Sequence, residues 1–186
     1  MSRSHDNERR QLAVFATQEH ACPYVHDRIA RTALIDPYAP LDTVLYADLI
    51  QRGFRRSGNH LYRPSCPSCS ACRSLRIPVA RFRARRRHRR CLQRNADIRI
   101  DSVAPRYREA HFALYRRYIA ARHPGGSMDN PTPESYQSFL TGSWCDTEFL
   151  ELQENGRLLA VAVIDDLGNA LSAVYTFYEP GLPERS

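Results

Sequence analysis

Between Arg52 and Pro78 the sequence reads RGFRRSGNHLYRPSCPSCSACRSLRIP, which gathers arginines, aromatic rings and evenly spaced cysteines into one short stretch. Cys66, Cys69 and Cys72 form C-x2-C-x2-C. At that spacing neighbouring thiolates converge on one ion from a turn. The fourth ligand would come from Cys22, Cys91, His26 or His60. Zinc and iron–sulfur clusters both use such cysteines, and the same pattern also fits three reduced thiols buried as small hydrophobes.

Just upstream, Ser57-Gly58-Asn59 marks a tight hairpin turn, because a Gly-Asn pair supplies positive φ. The two strands around it carry Arg55 and Arg56 on opposite faces of the pleat, with Tyr62 across the hairpin. A guanidinium aimed into a pocket offers a planar fork for a carboxylate or a phosphate. Two solvated arginines on an exposed ribbon give the same sequence. Downstream, Arg81 to Arg94 reads RFRARRRHRRCLQR, with eight arginines and no acid. Such a run is either a solvated face or a surface that neutralises nucleic-acid phosphates.

The elements that must position these groups follow from periodicity. Leu12 to Phe15 reads as a short strand and Ala30 to Ile35 as another. Asp42 caps a helix of about eleven residues, in which Leu45, Leu49 and Ile50 recur at helical spacing and Gly53 provides the stop. After the cysteines, Leu75, Ile77 and Val79 alternate as a half-buried strand. The clearest helix spans Arg106 to His123, with Tyr107, His111, Leu114, Tyr115, Tyr118 and Ile119 on one face and a break at Pro124-Gly125-Gly126. Thr132 caps a second helix with Pro133 in its first position. Three strands, Glu148 to Leu152, Arg157 to Ile164 and Ala170 to Tyr178, then form an antiparallel meander turned at Asn155-Gly156 and Gly168-Asn169. The segment from Met1 to Gln11 is polar and expected to fray.

All 27 basic residues are arginine. Residues 1–100 hold 20 of them against 8 acidic residues, net +12, whereas residues 101–186 hold 7 against 12, net −5. The basic half has the footprint of a polyanion binder such as an RNA-binding protein, and the acidic half argues against uniform coating of nucleic acid. Six cysteines, three of them clustered, fit metal or free thiols in a reducing compartment. No apolar run is long enough to span a membrane and no hydrophobic signal region opens the chain, so a cytoplasmic protein without membrane contact is expected.

The stretch from Arg52 through Asn95, together with ACPYVHDRIARTALIDP (Ala21 to Pro37), HPGGSMDNP, YQSFL and YTFYEP, resembles the arginyl-tRNA–protein transferase family, in its bacterial aspartate/glutamate leucyltransferase branch. The resemblance implies transfer of an amino acid, leucine in this branch and arginine as the alternative, from aminoacyl-tRNA to the α-amine of proteins with N-terminal Asp or Glu, in the N-degron degradation pathway. It implies an α+β chain: a small basic Cys-containing N-terminal domain over residues 1–100, then the first part of a GNAT-like acyltransferase domain over residues 101–186. The tRNA would contact Arg83, Arg85, Arg86, Arg87, Arg89 and Arg90, and the acceptor's acidic side chain would meet Arg55, Arg56 and Tyr62. Cys22, Cys66, Cys69 and Cys72 would hold any zinc or iron–sulfur cluster, and the reaction itself requires no cofactor. In eukaryotic relatives a cysteine region near the N-terminus joins the later one, whereas here Cys22 is followed by Pro23-Tyr24 with no second cysteine nearby.

An aminoacyl ester is already activated, so direct attack by the acceptor amine suffices. With an α-amino pKa of roughly 7.7 to 8.0, on the order of a tenth of that amine is free near pH 7, and a weak base or a water chain supplies it. Positioning and oxyanion stabilisation then carry the rate; the GNAT-like resemblance implies a backbone amide at a splayed strand, near Ala173 to Phe177, as the oxyanion donor, and the sequence names no catalytic side chain. No Ser/His/Asp or Cys/His arrangement demands a covalent intermediate. Family members continue past EPGLPERS, so a C-terminally truncated member is expected, its last three strands exposing an edge and an apolar face. Proteolysis is accordingly expected after about residue 100. Two other readings compete: a non-enzymatic RNA-binding metal-knuckle module, and an inactive fragment of the transferase.

Overall fold

A computed structural model describes residues 11–126, 128–182 and 185, so the polar segment expected to fray lies almost wholly outside the described residues. The architecture is α+β, with four helices and antiparallel sheets. The first four-stranded sheet has the order β1-β4-β6-β5, from β1 (Val14–Ala16), β4 (Thr32–Ile35), β5 (Arg55–Ser57) and β6 (His60–Pro64). A two-stranded ribbon, β2 (His20–Ala21) with β3 (Ile29–Ala30), stands beside the first sheet in sequence. Helix α1 (Thr43–Gln51) starts where Asp42 accepts a 2.7 Å bond from the Leu45 amide and stops at Gly53, whose φ is +85°. Its Tyr46 and Leu49 pack with Ile35, Phe54 and Leu61 into the first core.

The second sheet has the order β10-β9-β8-β7, from β7 (Arg99–Val103), β8 (Asp146–Glu154), β9 (Arg157–Asp166) and β10 (Leu171–Tyr178). The meander is as the turn residues indicate, but β7 is an additional strand that precedes the helices and pairs with β8. Helices α3 (Glu109–Arg122) and α4 (Pro133–Leu140) cover one face, and Thr132 and Ser135 form a reciprocal capping box at the start of α4. Leu114, Ile119, Tyr136, Leu140, Phe149, Val161, Val163 and Phe177 fill this second core with almost no exposure. Inward parity on β8 and β9 places Phe149, Val161 and Val163 under the helices, as period-two alternation requires.

Two expectations fail here. Leu75 and Val79 are 92% and 85% exposed, and the segment that carries them is not a half-buried strand: it has no ladder partner among the described residues, and Pro78 lacks an amide to donate to one. Arg86 to Arg94, read from the sequence only as a charged run, forms helix α2, which has no buried residue. The apolar face of the last three strands is not bare, because α3 and α4 lie across it. The better-packed half is therefore 99–182, and the loosely held segment is 70–83, where every residue is exposed. Brief trypsin treatment should cut first among Arg73, Arg76, Arg81 and Arg83, as low local packing predicts, and leave the β7–β10 unit whole. First cuts within 146–178, read by mass spectrometry, would contradict this packing.

Candidate functional site

The hairpin β5–β6 pairs Ser57 with His60 around Gly58-Asn59. Gly58 has a φ of +56°, and a Cβ there would collide with the Ser138 carbonyl oxygen of α4. The Gly58 amide donates to the Phe139 carbonyl at 2.8 Å, and Asn59 Oδ1 accepts from the Ser143 amide at 2.8 Å. The turn is thus pressed against the end of α4, and only a glycine lets the two backbones approach so closely.

Consecutive residues on a strand face opposite ways, and this decides the fate of the two arginines. Arg56 points inward, with a side chain 0% exposed, and binds Asp165 of β9 in a two-pronged pair, Nε to Oδ2 at 2.6 Å and Nη2 to Oδ1 at 2.7 Å. Nη2 also donates to the Leu140 carbonyl at 2.9 Å and to Thr147 Oγ1 at 3.1 Å. Thr147 donates to Asp165 Oδ1 at 2.8 Å, and the Tyr46 hydroxyl donates to Oδ2 at 2.8 Å. Burial works against the Arg56 charge, but the bonded carboxylate more than offsets it and its pKa is raised. Burial likewise pushes the Tyr46 phenol well above its ordinary range. The Nε–Nη2 edge of Arg56 is taken by Asp165 and its unpartnered Nη1 is buried, so the expectation that it reads an acidic side chain is corrected: its carboxylate partner is internal.

Arg55 lies on the other face, exposed, with its guanidinium 5.5 Å from the centre of the Tyr62 ring. The pair is a solvent-facing cation–π contact, and the hairpin does not bring Arg55, Arg56 and Tyr62 to one pocket. Sequence reasoning missed Asp165 and Thr147. A signal existed for Asp165, since it shares the inward parity of Val161 and Val163, and a carboxylate on a core-facing position needs a buried cation.

Cys22, Cys66, Cys69 and Cys72 line one cavity of about 240 Å³, with Tyr24, Arg28 and Ile29. The structure thus gathers the four thiols picked from the sequence. It does not converge them: among the described residues no three His, Cys, Asp or Glu side chains are arranged to hold a metal ion. The donor set suits zinc or a cluster and the present spacing does not, which corrects the expected close approach of four sulfur atoms.

Arg83, Arg85, Arg86, Arg87, Arg89 and Arg90 are all exposed. At about 3.6 residues per turn, Arg86, Arg90 and Arg94 fall on one stripe of α2 with Arg87 and Arg89 at its flanks. At its first turn the Arg85 amide donates to His88 Nδ1 at 3.1 Å, and Arg89 donates to the Ala84 carbonyl at 2.6 Å. Within 81–90 no carboxylate neutralises this charge in the sequence itself.

In the second sheet the β9–β10 register shifts between Ala173 and Tyr175. The bulge leaves Val174 out of the ladder, in the stretch where an oxyanion donor is expected. Tyr115 and Tyr118 of α3 and Phe139 of α4 pack edge-on against Tyr175 beside it. A second concavity of about 710 Å³ runs between α3 and the connection to α4. Under α3, His111 Nε2 meets Glu151 at 2.6 Å, and Arg108 and Gln153 bind the same carboxylate at 2.9 and 2.6 Å. Burial lowers the His111 pKa despite that neighbour, which marks a core contact rather than an exposed base.

Residues 20–90 match the family model described as arginine-tRNA-protein transferase, N terminus, and residues 110–186 match the corresponding C-terminus model. The chain is 53% identical over 178 residues to an aspartate/glutamate leucyltransferase of Alkalilimnicola ehrlichii, covering 95% of this chain and 74% of that one. It is 50% identical to proteins of the same name from Pseudomonas putida and Halorhodospira halophila, covering 75% and 76% of their lengths. The chain belongs to the arginine-tRNA-protein transferase family. In this family member both the matched N-terminal and the matched C-terminal regions contribute to the Arg56–Asp165 node, so the node joins the two. Removing one partner of a buried pair costs about 3–5 kcal/mol. Arg56→Met should lower unfolding free energy in urea by about that amount, and Arg55→Gln should change it by less than about 1 kcal/mol. Equal effects would contradict the assignment of Arg56 to the interior.

Proposed function

We propose that this chain is an aminoacyl-tRNA–protein transferase that moves leucine from leucyl-tRNA to the α-amine of proteins beginning with Asp or Glu. The observation that carries the reading is the 53% identity to an aspartate/glutamate leucyltransferase over 95% of the chain. The second sheet and its helices follow the order strand, helix, helix, then a three-stranded meander with a bulge in its last strand, which supports a GNAT-like acyl-transfer unit. The free amine attacks the ester carbonyl and a C–N bond forms, the C–O bond to the tRNA ribose breaks, and the proton lost by the amine passes through water or a weak base to the departing ribose oxygen. A backbone amide freed from the ladder near Val174 is suited to hold the oxyanion, since a preorganised donor there needs no rearrangement during the reaction.

Arg83, Arg85, Arg86, Arg87, Arg89 and Arg90 are the proposed tRNA contact, because among the described residues they carry exposed charge that no carboxylate meets. Arg55 and Tyr62 extend it as a cation beside a ring on which a base can stack. Zinc or an iron–sulfur cluster at Cys22, Cys66, Cys69 and Cys72 is a further proposal that requires the 66–72 loop to close on Cys22; metal analysis of protein purified without a His tag checks it. No step of the transfer runs through that site. A protein of this kind, with no helix long and apolar enough to cross a membrane among the described residues, fits a cytoplasmic role in N-degron degradation.

Incubated with leucyl-tRNA, the protein should transfer leucine to a peptide that begins with Asp or Glu and leave one that begins with Ala unmodified. Replacing Arg83, Arg85, Arg86, Arg87, Arg89 and Arg90 by Gln should weaken tRNA binding and flatten its salt dependence. RNA binding without leucine transfer would favour a non-enzymatic RNA-binding module instead.

A further inference from the structure

The concavity between α3 and the α3–α4 connection is lined by Phe112, Arg116, Ile119, Asp129, Pro131 and Pro133, among others. It holds an unusual pair of charges. Arg117 also reaches its rim but is taken, since Nη2 and Nε both bind Glu179 Oε2, at 2.9 and 3.2 Å. Arg116 has no such partner among the described residues; its guanidinium lies 6.0 Å from the centre of the Phe112 ring. On the connection that lines the same concavity, Asp129 accepts one backbone bond on each carboxylate oxygen, from Gly125 at 2.8 Å and Asn130 at 2.9 Å. Those two bonds fix the carboxylate and leave each oxygen a further lone pair. One free guanidinium, one fixed carboxylate and an apolar wall therefore share a groove without neutralising each other by direct contact.

We propose that this groove reads the N-terminal residue of the acceptor protein, Arg116 binding its acidic side chain and Asp129 its α-ammonium. The inference rests on the transferase reading and names the residues that give it its acceptor preference. The complementarity is specific. An N-terminal Asp or Glu is a residue that carries a carboxylate and an ammonium close together, whereas an internal acidic residue lacks the ammonium and an N-terminal Ala lacks the carboxylate. A guanidinium suits the first group because it donates two parallel bonds to a carboxylate, and a fixed carboxylate suits the second. At pH 7 most of the α-amine is protonated, so this is a recognition step, and loss of the proton precedes attack. The groove and the reaction region share a helix: Arg116 lies on one face of α3, and Tyr115 and Tyr118 pack towards Tyr175 from another.

Binding of short fluorescent peptides to the purified protein tests this without requiring transfer. Peptides beginning with Asp, with Ala and with N-acetyl-Asp are compared by anisotropy. The unaltered protein should prefer free Asp over both others. Arg116→Gln should reduce the preference for Asp over Ala by about ten- to a hundred-fold, the range for a bond to a charged group, and Arg116→Glu should shift preference towards a Lys-initiated peptide. Asp129→Asn should reduce the preference for free over acetylated Asp. Arg55→Gln should keep both preferences. Selective binding that survives Arg116→Gln and Arg116→Glu, selectivity lost in Arg55→Gln instead, or no selective binding by the unaltered protein would each overturn the proposal. Selective binding with no leucine transfer would sustain it and count against the transferase reading alone, which keeps the two failures distinct.

Discussion

The ion pair between Arg56 and Asp165 is the contact on which the arrangement of this protein depends. Two fully buried charges from strands 109 residues apart meet at 2.6 Å, and Thr147, Tyr46 and the Leu140 carbonyl add hydrogen bonds around them, leaving only Arg56 Nη1 among the pair's polar atoms without a partner. Desolvating such a pair is costly, and only good geometry with additional hydrogen bonds recovers that cost. The neighbours supply both. Trp144, Cys145 and Leu167 from the second half pack against the first core, and Tyr46 meets the Trp144 ring edge-on at 4.9 Å. The β5–β6 hairpin is consequently a joint between two regions and not an arm reaching for substrate.

Order and charge are distributed unevenly around that joint. One face of the second sheet is sealed by two helices and a shell of aromatic rings, which suits a unit that must hold a bulged strand in one conformation. The cysteine loop and the basic helix behind it lie mostly on the surface, and Arg83, Arg85, Arg86, Arg87, Arg89 and Arg90 meet no carboxylate among the described residues. An exposed arginine surface follows a phosphate backbone well because the energy comes from released counterions and needs little shape complementarity. Under the proposed function, a rigid acyl-transfer unit beside a yielding polyanion-binding segment would be a sensible division of work, since the two substrates differ so much in size and charge.

Much of this was legible in the sequence for identifiable reasons. The caps at Asp42 and Thr132, the Gly58-Asn59 turn and the meander are set by local chemistry that acts within a few residues, and all appear at the expected places. Helix α2 was hidden because arginine is a good helix former but the run has no apolar face to reveal a period. Strand β7 was hidden because Ile100 is 61% exposed, so its pairing with β8 rests on backbone bonds. The sequence pattern at Leu75, Ile77 and Val79 suggested burial that no neighbouring element provides. Pairing between Arg56 and Asp165 lies beyond any local rule, since parity shows that each faces inward and only the tertiary fold shows that they meet. The four cysteines were gathered from spacing and resemblance, and their spread across a cavity is a property of the loops that carry them.

The claim that one buried pair couples the two halves is tested most directly by amide hydrogen exchange on Asp165→Asn against the unaltered protein. Asparagine keeps the shape and removes the charge, leaving Arg56 buried without a counter-ion. If the account is right, protection falls in β5 and β6 and, at the same time, in the part of β9 around Asp165 and the end of α4, although those segments are far apart in sequence. Loss of protection confined to β9, with β5, β6 and α1 exchanging as before, would show that the halves are held together by other contacts and would contradict the central role given to this pair.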